Sequence, residues 1–142
     1  MKRMSLKKHI VFPLHPRTLN NIDKFGLSKV FRSISNISIC EPLGYFDFLH
    51  LIKNSIAVVT DSGGIQEETT FMKTPCLTIR PNTERPITLE IGSNKLLDFN
   101  IDLISNELNL ILNSKNNFSQ IPELWDGKSS ERILKTIDSF FN

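Results

Sequence analysis

The sequence predicts an α/β fold, a parallel sheet flanked by helices, in a chain of 142 residues. Three observations carry that expectation. Short apolar runs alternate with amphipathic stretches along the chain, as strand–helix–strand units require. The apolar fraction of 39% is ordinary for a chain of this size that buries a core. One stretch, Val58 to Glu68, reads as a strand, a polar turn with two adjacent glycines, and the opening of a helix. A single domain over residues 1–142 is expected.

The net charge of +2 and the lack of a basic stripe with interleaved aromatics argue against nucleic acid as a partner. Cys40 and Cys76 sit in strand-like runs with neither a CxxC spacing nor a nearby histidine pair. They read as small buried residues in a reducing compartment, and no metal or other cofactor is expected. Met1 to Lys8 is basic but lacks the apolar centre of a signal peptide, and no apolar run has the length of a bilayer span. A cytoplasmic protein with no membrane partner is expected.

The first strand is His9 to Leu14, with Pro13 near its end where no ladder donor is needed. His15-Pro16-Arg17-Thr18 then turns the chain into a short helix from Leu19 to Phe25, closed at Gly26. His15 and Arg17 stand at a carboxyl strand edge, where open parallel sheets bind ligands. For His15 a local capping role is preferred, and Arg17 is as readily a solvated side chain as an anion contact. Residues 31–36 connect to a second strand, Ile37 to Cys40. Glu41-Pro42-Leu43-Gly44 leads into a helix from Tyr45 to Asn54 with Phe46, Leu49, Ile52 and Lys53 at helical spacing. Phe48 stands apart from that set, although a core position is the commonest fate of a phenylalanine.

Ile56 to Val59 suits a central strand of the sheet. Asp61 and Ser62 are good helix caps, and Gly63-Gly64 removes side chains where the helix begins. Unpaired N–H groups at the positive end of a helix dipole form an anion site, with phosphate the usual occupant. Glu68, four residues beyond Gly64, shares that helix face one turn deeper, where a carboxylate accepts hydrogen bonds from the paired hydroxyls of a ribose. Glu67 suits the dipole equally well with no ligand. Thr74-Pro75 ends the helix, and residues 75–80 form the next strand. Its carboxyl end opens into a loop from Pro81 to Pro86. Arg85 is the anion contact expected there, against pairing with Glu84 or Glu90. A turn at Gly92 leads to a short strand ending at Leu97, and an amphipathic helix covers Asp102 to Ser114. Residues 113–120 are a polar connection. After a tight turn at Trp125-Asp126-Gly127, a last helix capped by Ser129 or Ser130 ends in Phe140-Phe141.

Three stretches, in this order and spacing, resemble the UDP-N-acetylglucosamine 2-epimerases. They are Glu41-Pro42-Leu43-Gly44-Tyr45-Phe46-Asp47-Phe48, Asp61-Ser62-Gly63-Gly64-Ile65-Gln66-Glu67-Glu68 and Thr83-Glu84-Arg85-Pro86. The resemblance runs from about His9 to the C-terminus. It implies a Rossmann-like nucleotide-binding domain, one half of a GT-B-type two-domain fold, with UDP or a UDP-N-acetylhexosamine as ligand. Ser62, Gly63, Gly64, Glu68 and Arg85 are the implied binding residues, Phe48 the one that stacks on uracil, and Leu43 a contact through its backbone. Two departures stand out: Leu43 where glutamine is frequent, and Ile87 where a glutamate usually follows the proline.

The family's reaction eliminates UDP across the C1–C2 bond and re-adds it after inversion at C2. A hydrolysing branch releases N-acetylmannosamine and UDP. The resemblance places the catalytic carboxylates in N-terminal sequence that this chain does not contain, so no catalytic residue is assigned. Alone, the chain is expected to bind UDP weakly without epimerising, and to be completed by a separate N-terminal half or by self-association. Two other readings stay open. One is the nucleotide-binding half of a glycosyltransferase of the same architecture, against which Thr83-Glu84-Arg85-Pro86 argues. The other is a non-catalytic, truncated remnant.

Overall fold

The structure, a computed structural model, describes residues 1–114 and 120–141. They form two compact units, Met1–His50 and Leu51–Asn142. The first contains helix α1 (Lys2–Ser5), strand β1 (Ile10–Pro13), helices α2 (Pro16–Lys24) and α3 (Ser28–Arg32), strand β2 (Ile37–Cys40) and the start of helix α4 (Tyr45–Lys53). Strands β1 and β2 pair in parallel, with Ile10 opposite Ile37. Leu14, Ile22 and Ile34 are buried, and the rings of Phe12 and Phe31 stack with centroids 6.4 Å apart.

Helix α2 begins three residues earlier than the sequence suggested. Pro16 takes the first helical position, where its missing N–H costs nothing and its fixed φ is already helical. His15 is the cap, its Nδ1 accepting from the Arg17 backbone N–H at 3.2 Å. Helix α3 was not anticipated. It buries no side chain, so no apolar periodicity announces it.

The second unit holds strand β3 (Val58–Thr60), helix α5 (Gly63–Met72), strand β4 (Cys76–Ile79), helix α6 (Ile87–Glu90), strand β5 (Asn94–Leu97) and helices α7 (Ile101–Asn113) and α8 (Ser129–Phe141). Its sheet is parallel in the order β3-β4-β5, with Thr60 opposite Thr78 and Cys76 opposite Asn94. Within this sheet β4 is the central strand, not β3 as the sequence suggested. Cys76 and Leu77 are 1% exposed, whereas Val59 is 40% exposed and Ile56 lies outside the strand. An apolar run identifies a strand but not its rank, because rank depends on which neighbours it finds. Ile52, Leu97 and Ile104 are also buried in this unit.

Asn100 caps α7, its side-chain oxygen accepting from the N–H groups of Asp102 and Leu103. Ser129 is the first residue of α8 rather than its cap. The turn before it rests on Gly127 at φ 76° and on Asp126, which accepts from the Lys128 N–H at 3.0 Å and pairs with Arg132. Most of the polar connection expected over residues 113–120 lies outside the described residues. No helix among the described residues is long and apolar enough to cross a membrane.

Gly92 is required by packing. A Cβ there would stand 2.5 Å from Thr70 Oγ1 and 2.6 Å from the Thr88 carbonyl oxygen. Gly92→Ala is therefore expected to destabilise the chain by about 1–3 kcal/mol. A lower midpoint in urea unfolding checks this, and an unchanged midpoint would contradict so close an approach.

Candidate functional site

The second unit brings together the glycine turn and the arginine loop because its strands are parallel. Chain leaving β3 after Thr60 and chain leaving β4 after Ile79 emerge at the same sheet edge, since Thr60 and Thr78 are partners. The first exit becomes Asp61-Ser62 and helix α5, and the second the loop 80–86. Ligands of open parallel sheets bind at that edge.

At the first exit, Ser62 is the N-cap residue but makes no side-chain cap bond. Its own N–H is taken by Thr60 Oγ1 at 3.0 Å. The opening N–H groups of α5 therefore receive nothing from the cap. Gly63 and Gly64 are not among the residues with positive φ, so the backbone does not demand glycine at either. A Cβ on Gly64 would meet nothing within 4 Å, and one on Gly63 would meet only side-chain ends at 3.5 Å and 3.6 Å. Glycine in a helix costs about 0.8–1.0 kcal/mol relative to alanine. Here that cost brings no return in the fold. What it does provide is open access to N–H donors at the positive end of the helix dipole.

The two groups beside Gly63 are the Arg80 guanidinium and the Glu84 carboxylate, joined by two hydrogen bonds of 2.9 and 3.1 Å. Arg80 was missed in the sequence, where it read as the last residue of a strand. Its position at a carboxyl strand end, four residues before Glu84, was the available signal. Arg85 pairs with neither Glu84 nor Glu90 as an ion pair. Its Nε meets Glu67 Oε1 on α5 at 3.0 Å, and its Nη1 reaches only the carbonyl of Glu84, at 3.4 Å.

Beneath these exposed charges lies a buried polar network. The Gln66 side-chain oxygen accepts from Thr83 Oγ1 at 2.6 Å and from Asn94 Nδ2 at 3.0 Å. Asn94 Oδ1 accepts from Thr78 at 2.6 Å, and Asn94 Nδ2 also reaches Thr88 Oγ1 at 3.2 Å. The Thr88 hydroxyl donates to the Arg85 carbonyl at 2.7 Å, and Thr83 Oγ1 accepts from the Arg85 N–H at 3.0 Å. Gln66, Thr78 and Thr88 are fully buried. An exposed ion pair such as Arg85–Glu67 contributes only about 0.2–1 kcal/mol. Each broken buried hydrogen bond leaves a group whose desolvation costs about 1–3 kcal/mol. The network, not the ion pair, fixes the loop to α5.

Burial, with Glu67 beside it, pushes the Glu68 carboxyl above its ordinary range. The folded state then holds that proton better than the unfolded state. Glu68 therefore detracts from stability once pH rises above the unfolded value, and acid relieves it. Glu84 is the reverse case: its hydrogen bonds from Arg80 hold it below the ordinary carboxylate range. Its stabilising contribution is present above that range and is lost as pH falls through the folded value. Glu84 is well exposed, so its effect is small.

The other sequence-derived candidates lie in the first unit. Phe48 is half-buried on α4, and Leu43 is exposed in the turn before it. Arg17 is exposed on α2, and His15 is engaged as that helix's cap.

Comparison with known proteins gives these features a family. The family model of UDP-N-acetylglucosamine 2-epimerase matches residues 2–138. A curated UDP-N-acetylglucosamine 2-epimerase of Methanocaldococcus jannaschii is 42% identical over 130 residues, 92% of this chain and 35% of the relative. One of Methanococcus maripaludis is 40% identical over 131 residues, again 92% of this chain and 35% of the relative. Among solved structures, the M. jannaschii UDP-GlcNAc 2-epimerase in complex with UDP-GlcNAc and UDP superposes with a TM-score of 0.79 at 39% identity, over 97% of this chain and 38% of that one. A Listeria monocytogenes structure gives 0.80 at 30% identity, over 99% and 39%. The chain thus spans about a third of the length of these curated relatives. Parallel α/β architecture, the two-glycine turn with its arginine loop, and a match along nearly the whole chain agree: this protein belongs to the UDP-N-acetylglucosamine 2-epimerase family.

Proposed function

We propose that the chain is the UDP- and UDP-sugar-binding half of a UDP-N-acetylglucosamine 2-epimerase, and that it does not epimerise without an N-terminal half. The diphosphate sits on Ser62, Gly63 and Gly64, with Arg80 and Arg85 as its cations. Glu68 accepts the ribose hydroxyls. The observation that carries this reading is the pair of glycines that the fold does not need, set beside the Arg80–Glu84 pair. The M. jannaschii relative holding UDP-GlcNAc and UDP supplies the ligand class. The partner is a separately encoded N-terminal half or a second copy. The setting is the cytoplasm, where the reaction would feed cell-surface polysaccharide synthesis with N-acetylmannosamine units.

Isothermal titration of the chain with UDP tests the reading. Weak binding is expected, with Arg85→Ala and Glu68→Ala each lowering affinity by about tenfold, the worth of one charge-assisted hydrogen bond. Affinity should also fall in acid as Glu68 takes up its proton, beginning above the ordinary carboxylate range because its folded value is raised. In Glu68→Ala that part of the pH profile should be flat. No binding at millimolar UDP would overturn the reading in favour of the truncated remnant.

A further inference from the structure

We propose that Gln66 is a positioning residue: through the Thr83 hydroxyl it sets where Arg85 stands against α5. This rests on the reading of Arg85 as a nucleotide contact, and the mechanical part of it can be tested without nucleotide.

The geometry is one-directional. Gln66 is fully buried on the inner face of α5, so its side-chain oxygen has a fixed position. That oxygen takes both the Thr83 hydroxyl, at 2.6 Å, and the Asn94 amide, at 3.0 Å. Its own amide nitrogen reaches only the Ser62 carbonyl, at 3.5 Å. Asn94 is held in turn by Thr78 and Thr88, so the acceptor is braced from β4, β5 and α6. Thr83 relays the position outward. The oxygen that donates to Gln66 accepts the Arg85 N–H at 3.0 Å, while the Thr88 hydroxyl holds the Arg85 carbonyl at 2.7 Å. Both backbone groups of Arg85 are thereby tied to side chains of one network. Its side chain, by contrast, is 45% exposed and meets at 3.0 Å a Glu67 that is itself 42% exposed. A guanidinium that must meet an anion at a helix N-terminus gains most from a fixed backbone, because less conformational freedom is lost on binding.

The test uses the full chain with Thr83→Val, which keeps the branched shape and removes the hydroxyl, and Thr83→Ser, which keeps the hydroxyl. Gln66→Met removes the acceptor at its source. If that variant fails to fold, the Thr83 pair still decides. The first readout is the Arg85 Nε–H resonance in the ligand-free chain. Its wild-type shift and slowed exchange, from the Glu67 contact, should persist in Thr83→Ser and collapse towards free arginine in Thr83→Val. A wild-type resonance in Thr83→Val overturns the proposal. The second readout is UDP affinity. Thr83→Val should lower it about tenfold in the parent chain and have almost no effect in Arg85→Ala, while Thr83→Ser stays near the parent. Equal losses in both backgrounds would mean that Thr83 acts otherwise than through Arg85, which also overturns it. If the parent chain does not bind UDP, the functional reading falls while the resonance still decides whether Gln66 and Thr83 position Arg85.

Discussion

Replacing Gly64 by leucine is expected to abolish UDP binding while leaving the chain as stable as before, or more so. The two halves of that expectation come from separate observations. A Cβ at Gly64 meets no heavy atom within 4 Å, and its φ is not in the left-handed region that favours glycine. The added Cβ therefore meets no clash, and the backbone is not strained. Leucine is among the strongest helix formers, and glycine in a helix is about 0.8–1.0 kcal/mol worse than alanine, so the unfolding midpoint should hold or rise. The same openness is what the ligand would use. A leucine fills the volume in front of the opening N–H groups of α5, and a phosphate can no longer come within hydrogen-bonding distance of them. With every contact to those donors lost together, affinity should fall by more than about a hundredfold, since each tenfold corresponds to about 1.4 kcal/mol. Gly64→Ala should show a graded version of both effects. Urea unfolding and UDP titration on the same samples check the pair. Near-normal binding in Gly64→Leu would remove the glycine turn from the site, and a lower midpoint would mean that the fold does need glycine there. Gly92 provides the contrast, because there the Cβ itself is excluded.

Much of this arrangement is legible in the sequence, and the parts that are not share a physical cause. The strand–turn–helix order around Ser62-Gly63-Gly64 follows from local patterns, and β2, β4, β5, α4 and α7 fall close to their expected places for the same reason. The rank of β3 could not be read, because neighbours decide it. The buried face of α5 could not be read from hydropathy either, since it is polar: Gln66, Thr69 and Thr70 lie inward at i, i+3 and i+4. That spacing was the available clue. Of these, Gln66 finds Asn94 and Thr83 as partners, Thr69 donates back to the carbonyls of Ile65 and Gln66 in its own helix, and the buried Thr70 hydroxyl has no hydrogen-bond partner. The Arg85–Glu67 pair was not foreseen, because the only partners weighed for Arg85, Glu84 and Glu90, were close in sequence. The parallel sheet instead brings the loop after β4 against α5, which puts Glu67 in reach.

Turnover gives the largest effect. The chain alone should produce no detectable UDP-N-acetylmannosamine from UDP-N-acetylglucosamine, and joining it to the N-terminal portion of the M. jannaschii relative should restore the reaction. Elimination across C1–C2 needs a base for the C2 proton and an electrostatic partner for the departing UDP. Of the four carboxylates near the glycine turn, Asp61 is exposed in the turn itself, Glu84 is forked by Arg80 and is the weaker base for it, and Glu67 is paired with Arg85. Glu68, raised by burial, has the environment of a base, but in the proposed pose it accepts the ribose hydroxyls, away from C2. One positioned acid or base contributes about 10²–10⁴-fold, so a site lacking both roles loses about 10⁴–10⁸-fold and falls below detection. The matched region is 35% of the M. jannaschii relative, and the remainder is where those groups would come from. The reaction run in deuterium oxide reads the step directly, because proton removal from C2 lets deuterium in. No label is expected with the chain alone, and label at C2 is expected with the fusion. Label with the chain alone would place a base within these residues. Glu68→Gln in the fusion then separates the two roles for that carboxylate. A raised KM with little change in kcat keeps it on the ribose, and a collapse of kcat at unchanged KM makes it the base.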